Sequence, residues 1–181
     1  PKKSSYLRSS LVLSLLFYLH LQAISVVISD MAHNLDPKQL RYDKAYLRLA
    51  ASWALLSHCT RKQVGAIIVK DAIIISDGYN GTPAGFDNCC EDEHNQTHWY
   101  VLHAEANAIL KVARSTNNCK DATLYLTHSP CKDCSKLVLQ SGIKRLVYRE
   151  AYKDMSGVEF LKSAGLDVSQ IENIDDVWRR P

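Results

Sequence analysis

Two short motifs contain residues whose side chains could bind a metal ion and move protons. The first is His103-Ala104-Glu105 and the second is Cys131-Lys132-Asp133-Cys134, and each opens a predicted helix. Side chains in the first turn of a helix tilt back toward its N-terminus, so both motifs can address one object beyond the two helix ends. One imidazole and two thiolates suit zinc and leave its fourth tetrahedral position open, as in catalytic sites. Glu105 would then carry protons beside the metal.

Each motif taken alone has other interpretations. His-x-Glu arises often by chance, and Cys-x-x-Cys could be a redox pair or half of a four-cysteine zinc knuckle. The chain has no second Cys-x-x-Cys to complete a knuckle. Its six cysteines also allow disulfides, but the chain is long for a disulfide scaffold and Cys131 and Cys134 have metal-ligand spacing. The two motifs together, each at a helix start with a strand between them, favour a catalytic zinc site.

Hydrophobic periodicity predicts alternating helices and strands around these motifs. The predicted elements are a helix at 42–58, strands at 64–69 and 72–76, a helix at 104–113, a strand at 122–127, a helix at 131–140, a strand at 145–148, a helix at 158–164 and a strand at 166–168. Strand–helix–strand units pair in parallel through right-handed crossovers, whereas the first two strands form an antiparallel hairpin. The expected fold class is therefore α/β: a three-layer α/β/α sandwich with a mixed five-stranded sheet.

Length, charge and an apolar segment bound the class of protein. The 181 residues suit one domain, and a net charge of +3 is too small to predict a nucleic-acid-binding surface. The apolar run at 11–28 could be a signal peptide, a weak membrane anchor, or sequence upstream of a translation start at Met31. Secretion would expose Asn80-Gly81-Thr82 to glycosylation, although Asn80 is assigned below to the substrate pocket. We therefore expect a cytoplasmic enzyme with no membrane partner, an N-terminal extension over 1–36 and a catalytic domain over 37–181.

Longer stretches around the motifs resemble a known family. Over roughly residues 42–171 the chain is similar to the cytidine/deoxycytidylate deaminase superfamily, and most of all to phage and bacterial members of its deoxycytidylate branch. The matching stretches are 78–85, 103–109, 129–131 and 140–144. The resemblance implies that His103, Cys131 and Cys134 hold Zn²⁺. It also implies that Glu105 is the catalytic proton carrier in a hydrolytic deamination of dCMP to dUMP and ammonia, which supplies dUMP for thymidylate synthesis.

Residues that would bind the substrate follow from the same resemblance and from position. By resemblance, Asn80 should bind the sugar hydroxyl, the backbone of Ala104 should meet the base, and Tyr152 should pack near the nucleotide. Arg61 and Lys62 stand just before the first strand and are candidates to bind the substrate phosphate. A solvated pair of charges remains the alternative for these two residues.

Regulation and assembly are further implications of the resemblance. Members of the branch are commonly hexamers that dCTP activates and dTTP inhibits, with Mg²⁺ bound to the triphosphate. A homo-hexamer is therefore expected, with effector contacts at Gly81, Pro83 and Gly85. A second zinc site is a weaker hypothesis, because small buried cysteines are common without any metal. Its candidate ligands are Cys89, Cys90, His94, His98, His58 and Cys59.

Three other function classes share parts of the pattern. A polynucleotide deaminase, such as a tRNA adenosine deaminase, needs a flipped base and a basic surface, and it typically has Glu where this chain has Ser129. Deaminases of guanine, free cytosine or a riboflavin precursor share the zinc motif. A non-catalytic protein, such as a DNA-uptake-associated one, would keep only the fold, which the intact zinc motif and Glu105 argue against. The expected partner is therefore a small nucleotide and not a nucleic acid.

Overall fold

The structure is a computed structural model that describes residues 36–175. Internal contacts divide the chain into one unit that ends at Leu40 and a second that begins at Arg41. The sheet and the site lie in the second unit. The helices are α1 (Pro37–Ala54), α2 (Ala104–Ala113), α3 (Lys132–Gln140) and α4 (Ser156–Ser163). The strands are β1 (Gly65–Lys70), β2 (Ile73–Tyr79), β3 (Thr123–His128), β4 (Arg145–Glu150) and β5 (Asp167–Gln170).

The five strands form one mixed sheet in the order β2-β1-β3-β4-β5. β1 pairs antiparallel with both β2 and β3, whereas β3, β4 and β5 are parallel. The parallel strands follow one another through α3 and α4, as parallel pairing requires a crossover connection. This arrangement confirms the predicted α/β class with its mixed five-stranded sheet.

The main core lies between one face of the sheet and helices α2, α3 and α4. Because side chains alternate across a strand, every second residue of the central strands points into this core. Its buried sheet residues are Ala66, Ile68, Leu124, Leu126, Leu146 and Tyr148. The helices add Ala108 and Val112 from α2, Val138 from α3, and Leu161 from α4. This packing fixes the starts of α2 and α3 relative to the strand ends.

On the opposite face, α1 is tied to the sheet by a buried ionic group. Both carboxylate oxygens of Asp43 accept hydrogen bonds from Arg145 at 2.8 Å, and the Tyr125 hydroxyl donates to Asp43 at 2.7 Å. Asp43 is fully buried, and Arg145 is 14% exposed. Burial raises the pKa of Tyr125 well above its ordinary value, and the charge of Asp43 raises it further. The phenol therefore stays a hydrogen-bond donor that fixes α1 against β3.

Two glycines let the motif-bearing helix starts approach their neighbours closely. A Cβ on Gly78 in β2 would collide with the Ala104 carbonyl oxygen at the start of α2. A Cβ on Gly157 in α4 would collide with the Pro130 carbonyl oxygen, which lies 2.7 Å from that position just before α3. Both contacts are to backbone, which cannot swing aside as a side chain can. Glycine at these two positions therefore permits the close approach of β2 to the start of α2 and of α4 to the residues just before α3.

Element boundaries differ from the predictions mainly around the first helix and the second strand. α1 begins at Pro37, five residues before the predicted start at residue 42. Proline is well tolerated in the first turn of a helix, so it does not delay the start. β2 extends to Tyr79 and so includes Gly78, which was predicted to lie in a loop.

None of the helices in residues 36–175 is long and apolar enough to cross a membrane. The apolar run at 11–28 and the proposed extension at 1–36 lie, apart from the last residue of that extension, outside the described residues.

Candidate active site

The three predicted metal ligands meet at the N-terminal ends of α2 and α3. His103 Nδ1 lies 3.6 Å from Cys131 Sγ and 3.4 Å from Cys134 Sγ. Zinc bonds of about 2.0 Å to nitrogen and about 2.3 Å to sulfur place tetrahedral ligand atoms about 3.5 to 4 Å apart. The donor set therefore fits zinc in both chemistry and spacing. Within residues 36–175 it is the only group of three or more His, Cys, Asp or Glu side chains close enough to share one ion.

Local backbone geometry explains why these side chains converge. His103 and Cys131 are the residues immediately before α2 and α3, and both have extended conformations (ψ of 157° and 171°). Neither side chain caps its own helix, so both remain free to point beyond the helix end. Cys134 lies in the first turn of α3 and is buried. Extended residues before two neighbouring helices thus turn the two sequence motifs into one site.

The electrostatics of the cluster favour an anionic sulfur. Hydrogen bonds from Cys134 and then from His103 lower the pKa of Cys131 to about 3, although burial opposes them. The same contact with Cys131 raises the pKa of Cys134, and burial adds to the increase. The hydrogen bond to Cys131 also raises the pKa of His103. The cluster therefore already stabilises a thiolate, which is the form of cysteine that binds metals.

Glu105 lies in the first turn of α2 and is 4% exposed. Burial raises the pKa of its carboxyl above the ordinary value, while the neighbouring His103 acts in the opposite direction. A carboxyl with a raised pKa holds a proton more readily than an ordinary glutamate does, which suits a group that must both accept and deliver one. Glu105 follows His103 by two residues and is not part of the group of three side chains that could share one ion.

A cavity of about 330 Å³ opens beside this cluster and is large enough for a small ligand. His103, Ala104, Glu105 and Cys131 line one part of it. Its wall also includes three cationic side chains, all exposed: Arg61, Lys62 and Lys153. The cavity thus combines a candidate metal site and a buried carboxyl with a group of cations that could bind an anion.

All five predicted substrate residues line this cavity: Asn80, Ala104, Tyr152, Arg61 and Lys62. The Lys62 ammonium lies 5.5 Å from the centre of the Tyr152 ring, a cation–π contact between two loops. Asn80 is 9% exposed, and its amide already contacts backbone: Oδ1 accepts from Val64 N–H and Nδ2 donates to the Lys62 carbonyl, both at 2.8 Å. One amide hydrogen of Asn80 is left for a ligand.

The predicted effector residues lie elsewhere. Gly81 lines a second, smaller cavity of about 150 Å³ together with His58, Thr82 and Cys90. Pro83 and Gly85 line neither of these two cavities. Gly81 also pairs with Leu102 in an isolated antiparallel bridge, which connects the 81–85 loop to the chain just before His103.

The predicted second zinc site does not form as expected. Cys59 and Cys90 are joined in a disulfide, which removes two of its six candidate donors as thiolates. Cys89 and Cys119 are free thiols, as are Cys131 and Cys134 of the candidate metal site. Disulfides are therefore a minor use of the six cysteines, as the sequence predicts, although one pair does form in the structure.

Sequence reasoning missed several residues of the cavity wall, among them Glu91, Thr97, His128 and Lys153. His128 follows no motif, and its Nε2 lies 2.9 Å from a carboxylate oxygen of Glu150. Lys153 is adjacent to Tyr152, so its proximity could have been inferred. Glu91 and Thr97 are positioned by long-range contacts, which leave no local pattern in the sequence.

Comparisons with known proteins agree with this geometry. The family profile described as "Cytidine and deoxycytidylate deaminase zinc-binding region" matches residues 40–150. The deoxycytidylate deaminase of Enterobacteria phage T4 is 37% identical over 158 residues, which cover 64% of this chain and 82% of that protein. ComE operon protein 2 of Bacillus subtilis is 35% identical over 142 residues, covering 75% of this chain and 74% of that protein.

A solved structure shows the same fold. The dCMP deaminase from the cyanophage S-TIM5, crystallised in complex with dCMP and dUMP, is 41% identical, with a TM-score of 0.72. The match covers 76% of this chain and 100% of that chain. From the ligand cluster, the buried acid and these matches, it follows that the chain belongs to the cytidine and deoxycytidylate deaminase family and is a deaminase.

Proposed function

We propose that this deaminase converts dCMP to dUMP and ammonia by hydrolysis, with zinc held by His103, Cys131 and Cys134. The main support for the proposal is that a candidate metal site, Glu105 and several cationic side chains meet at one cavity. Glu105 and the zinc ligands can process an amino-pyrimidine, and the nearby cations can bind a 5′-phosphate. The named substrates of the phage relatives support the same choice.

Glu105 performs the proton transfers of the proposed reaction. Zinc held by these residues would supply Lewis acidity that makes the attacking water easier to deprotonate. Glu105 accepts a proton from the attacking water as the C4–O bond forms, and it delivers that proton to N3 of the pyrimidine. It then takes the second proton from the new C4 hydroxyl and delivers it to the amine, so that the C4–N4 bond breaks, the C4 carbonyl of dUMP forms and ammonia leaves. The raised pKa of this buried carboxyl suits both halves of the cycle.

Other wall residues hold the nucleotide in this proposal. The Ala104 backbone lies at the start of α2, where the first N–H groups have no partner within the helix and can meet the base. The remaining amide hydrogen of Asn80 can bind the sugar hydroxyl. Tyr152 packs beside the nucleotide, and Arg61 and Lys62 bind the phosphate.

Regulation by dCTP and dTTP, with Mg²⁺ on the triphosphate, is also proposed, together with a hexameric assembly. The second cavity supports an effector site near Gly81, because the bridge from Gly81 to Leu102 leads directly to His103.

A cytoplasmic location is proposed as well. Asn80 is buried and bonded to backbone on both sides, so the Asn80-Gly81-Thr82 sequence could not carry a glycan in this fold.

The test is ammonia release by the zinc-loaded full chain from dCMP, deoxycytidine and dCTP, with and without dCTP plus Mg²⁺ as effector. We expect rapid turnover of dCMP and slow turnover of deoxycytidine. A rise in dCMP turnover with dCTP would support the proposed regulation. If dCMP stays inert under both conditions, the proposed substrate is wrong.

A further inference from the structure

A small hairpin at residues 90–98 forms part of the cavity wall and contacts the loop that carries Arg61. Within this hairpin, Glu91 and Thr97 face each other in an isolated antiparallel bridge, and His98 N–H donates to the Cys90 carbonyl at 2.9 Å. Its turn is closed by Asp92, whose carboxylate accepts from the backbone N–H groups of His94 and Gln96. Glu91 and Thr97 are therefore held next to each other, as cross-strand neighbours are.

Glu91 holds the backbone on either side of the Thr60–Arg61 peptide. One carboxylate oxygen accepts from the Thr60 N–H and the Thr60 hydroxyl, both at 3.1 Å. The other accepts from the Arg61 N–H at 3.3 Å. Glu91 is 9% exposed, so its carboxylate is largely removed from water. These three donors replace the hydrogen bonds that water would otherwise provide.

Thr97 holds the other end of the same arginine. The Arg61 guanidinium donates through Nη1 to the Thr97 hydroxyl at 3.0 Å. Arg61 and Thr97 are both exposed, so the guanidinium stays accessible while it is restrained. One hairpin thus contacts Arg61 at its backbone and at its charged group.

Restraint of this kind changes binding because a long side chain loses conformational freedom when it binds a ligand. A guanidinium already held in place loses less freedom, so it binds an anion more tightly than a mobile one. Glu91 is a carboxylate close to the proposed phosphate site, and its burial would be unfavourable without hydrogen-bond partners. The three hydrogen bonds that Glu91 accepts explain why a buried carboxylate can be present there.

We propose that Glu91 and Thr97 are positioning residues that hold Arg61 in the cavity wall and thereby give the enzyme its preference for a pyrimidine nucleotide carrying a 5′-phosphate. This inference rests on the proposed function, because it assumes that Arg61 meets the phosphate of the substrate. A positioning role for Glu91 and Thr97 differs from a purely structural role in one measurable respect. Loss of the hairpin contacts should weaken the use of phosphorylated substrate and leave the phosphate-free nucleoside unaffected.

The experiment compares Glu91→Gln, Thr97→Val and Arg61→Ala, and each hairpin variant combined with Arg61→Ala, in the zinc-loaded full chain. Kinetics are measured with dCMP and with deoxycytidine. We expect each hairpin variant to raise KM for dCMP about threefold to tenfold with little change in kcat, the range for loss of one hydrogen bond. The kcat/KM for deoxycytidine should stay at the value of the unsubstituted enzyme. In the Arg61→Ala background neither hairpin substitution should add a further effect, since coupled residues are non-additive.

Glu93→Gln is the matched control, because Glu93 belongs to the same hairpin and its side chain is 87% exposed. Zinc content and thermal unfolding are measured for every variant. If Glu91→Gln fails to fold, Thr97→Val tests the inference alone, because it removes only a surface hydroxyl. Equal losses for dCMP and deoxycytidine, or full additivity with Arg61→Ala, would overturn the inference while leaving the proposed function intact. Absence of dCMP turnover in the unsubstituted enzyme would instead overturn the proposed function, and the inference with it.

Discussion

Two glutamates in the wall of the same cavity have opposite protonation behaviour. Glu105 and Glu91 are 4% and 9% exposed, so both carboxyls are largely removed from water. Burial raises the pKa of Glu105, and its neighbours do not reverse the shift. Burial also acts to raise the pKa of Glu91, but hydrogen bonds from Thr60 and Arg61 outweigh it and lower that pKa. Two identical side chains are thus suited to different roles by the donors around them.

The difference separates the cavity into a region for chemistry and a region for recognition. Glu105 is next to the candidate metal ligands and has a raised pKa, which suits it to exchange a proton with substrate. The Glu91 carboxylate accepts three hydrogen bonds and stays ionised. Its role is therefore to hold its neighbours in place. If this division is correct, substitutions in the first region should lower kcat, and substitutions in the second should raise KM.

The largest effect is expected for Glu105→Gln. The amide cannot accept or deliver the proton, so kcat for dCMP should fall about 10²- to 10⁴-fold. Zinc content should stay at the level of the unsubstituted enzyme, because Glu105 is not a ligand. Glu159→Gln is the control, since Glu159 also lies in the first helical turn of its helix but is exposed. A Glu105→Gln enzyme with near-normal kcat would remove Glu105 from the proposed mechanism.

A smaller effect is expected for Arg61→Ala, measured by steady-state kinetics with dCMP. Loss of a charge-assisted contact with the phosphate should raise KM about tenfold or more, with kcat changed by less than about threefold. Arg114→Ala is the control, because Arg114 is an exposed arginine that follows α2 and does not line the cavity. An unchanged KM would show that Arg61 does not meet the phosphate.

The same contrast explains how much could be predicted from the sequence. The candidate zinc ligands and Glu105 lie in two local motifs at helix starts, so their types and spacing were sufficient to predict that they lie close together. The order of helices and strands followed from periodicity in the same way. Glu91 and Thr97 act through contacts about 30 residues or more away along the chain, with Thr60 and Arg61, and no spacing rule links them. The disulfide between Cys59 and Cys90 was missed for the same reason.

The smallest effect on activity is expected for Asp43→Asn, on the far face of the sheet. Removing the charge breaks the bidentate pair with Arg145, which keeps its contact with Asp167, so we expect a loss of stability of about 2 kcal/mol. Denaturant unfolding should show this loss of stability. At a temperature where the variant stays folded, kcat and KM for dCMP should both match the unsubstituted enzyme. A selective rise in KM would indicate that the far face contributes to recognition.

The most direct test of the division is equilibrium binding of dCMP and deoxycytidine to zinc-loaded Glu105→Gln, measured by calorimetry. This variant should form a lasting complex because it binds substrate without turning it over. We expect dCMP to bind at least about tenfold more tightly than deoxycytidine, the range for one charge-assisted phosphate contact. Equal affinities for the two ligands, or no binding of dCMP to a zinc-replete sample, would contradict the proposal that one region of the cavity recognises the phosphate while another acts on the base.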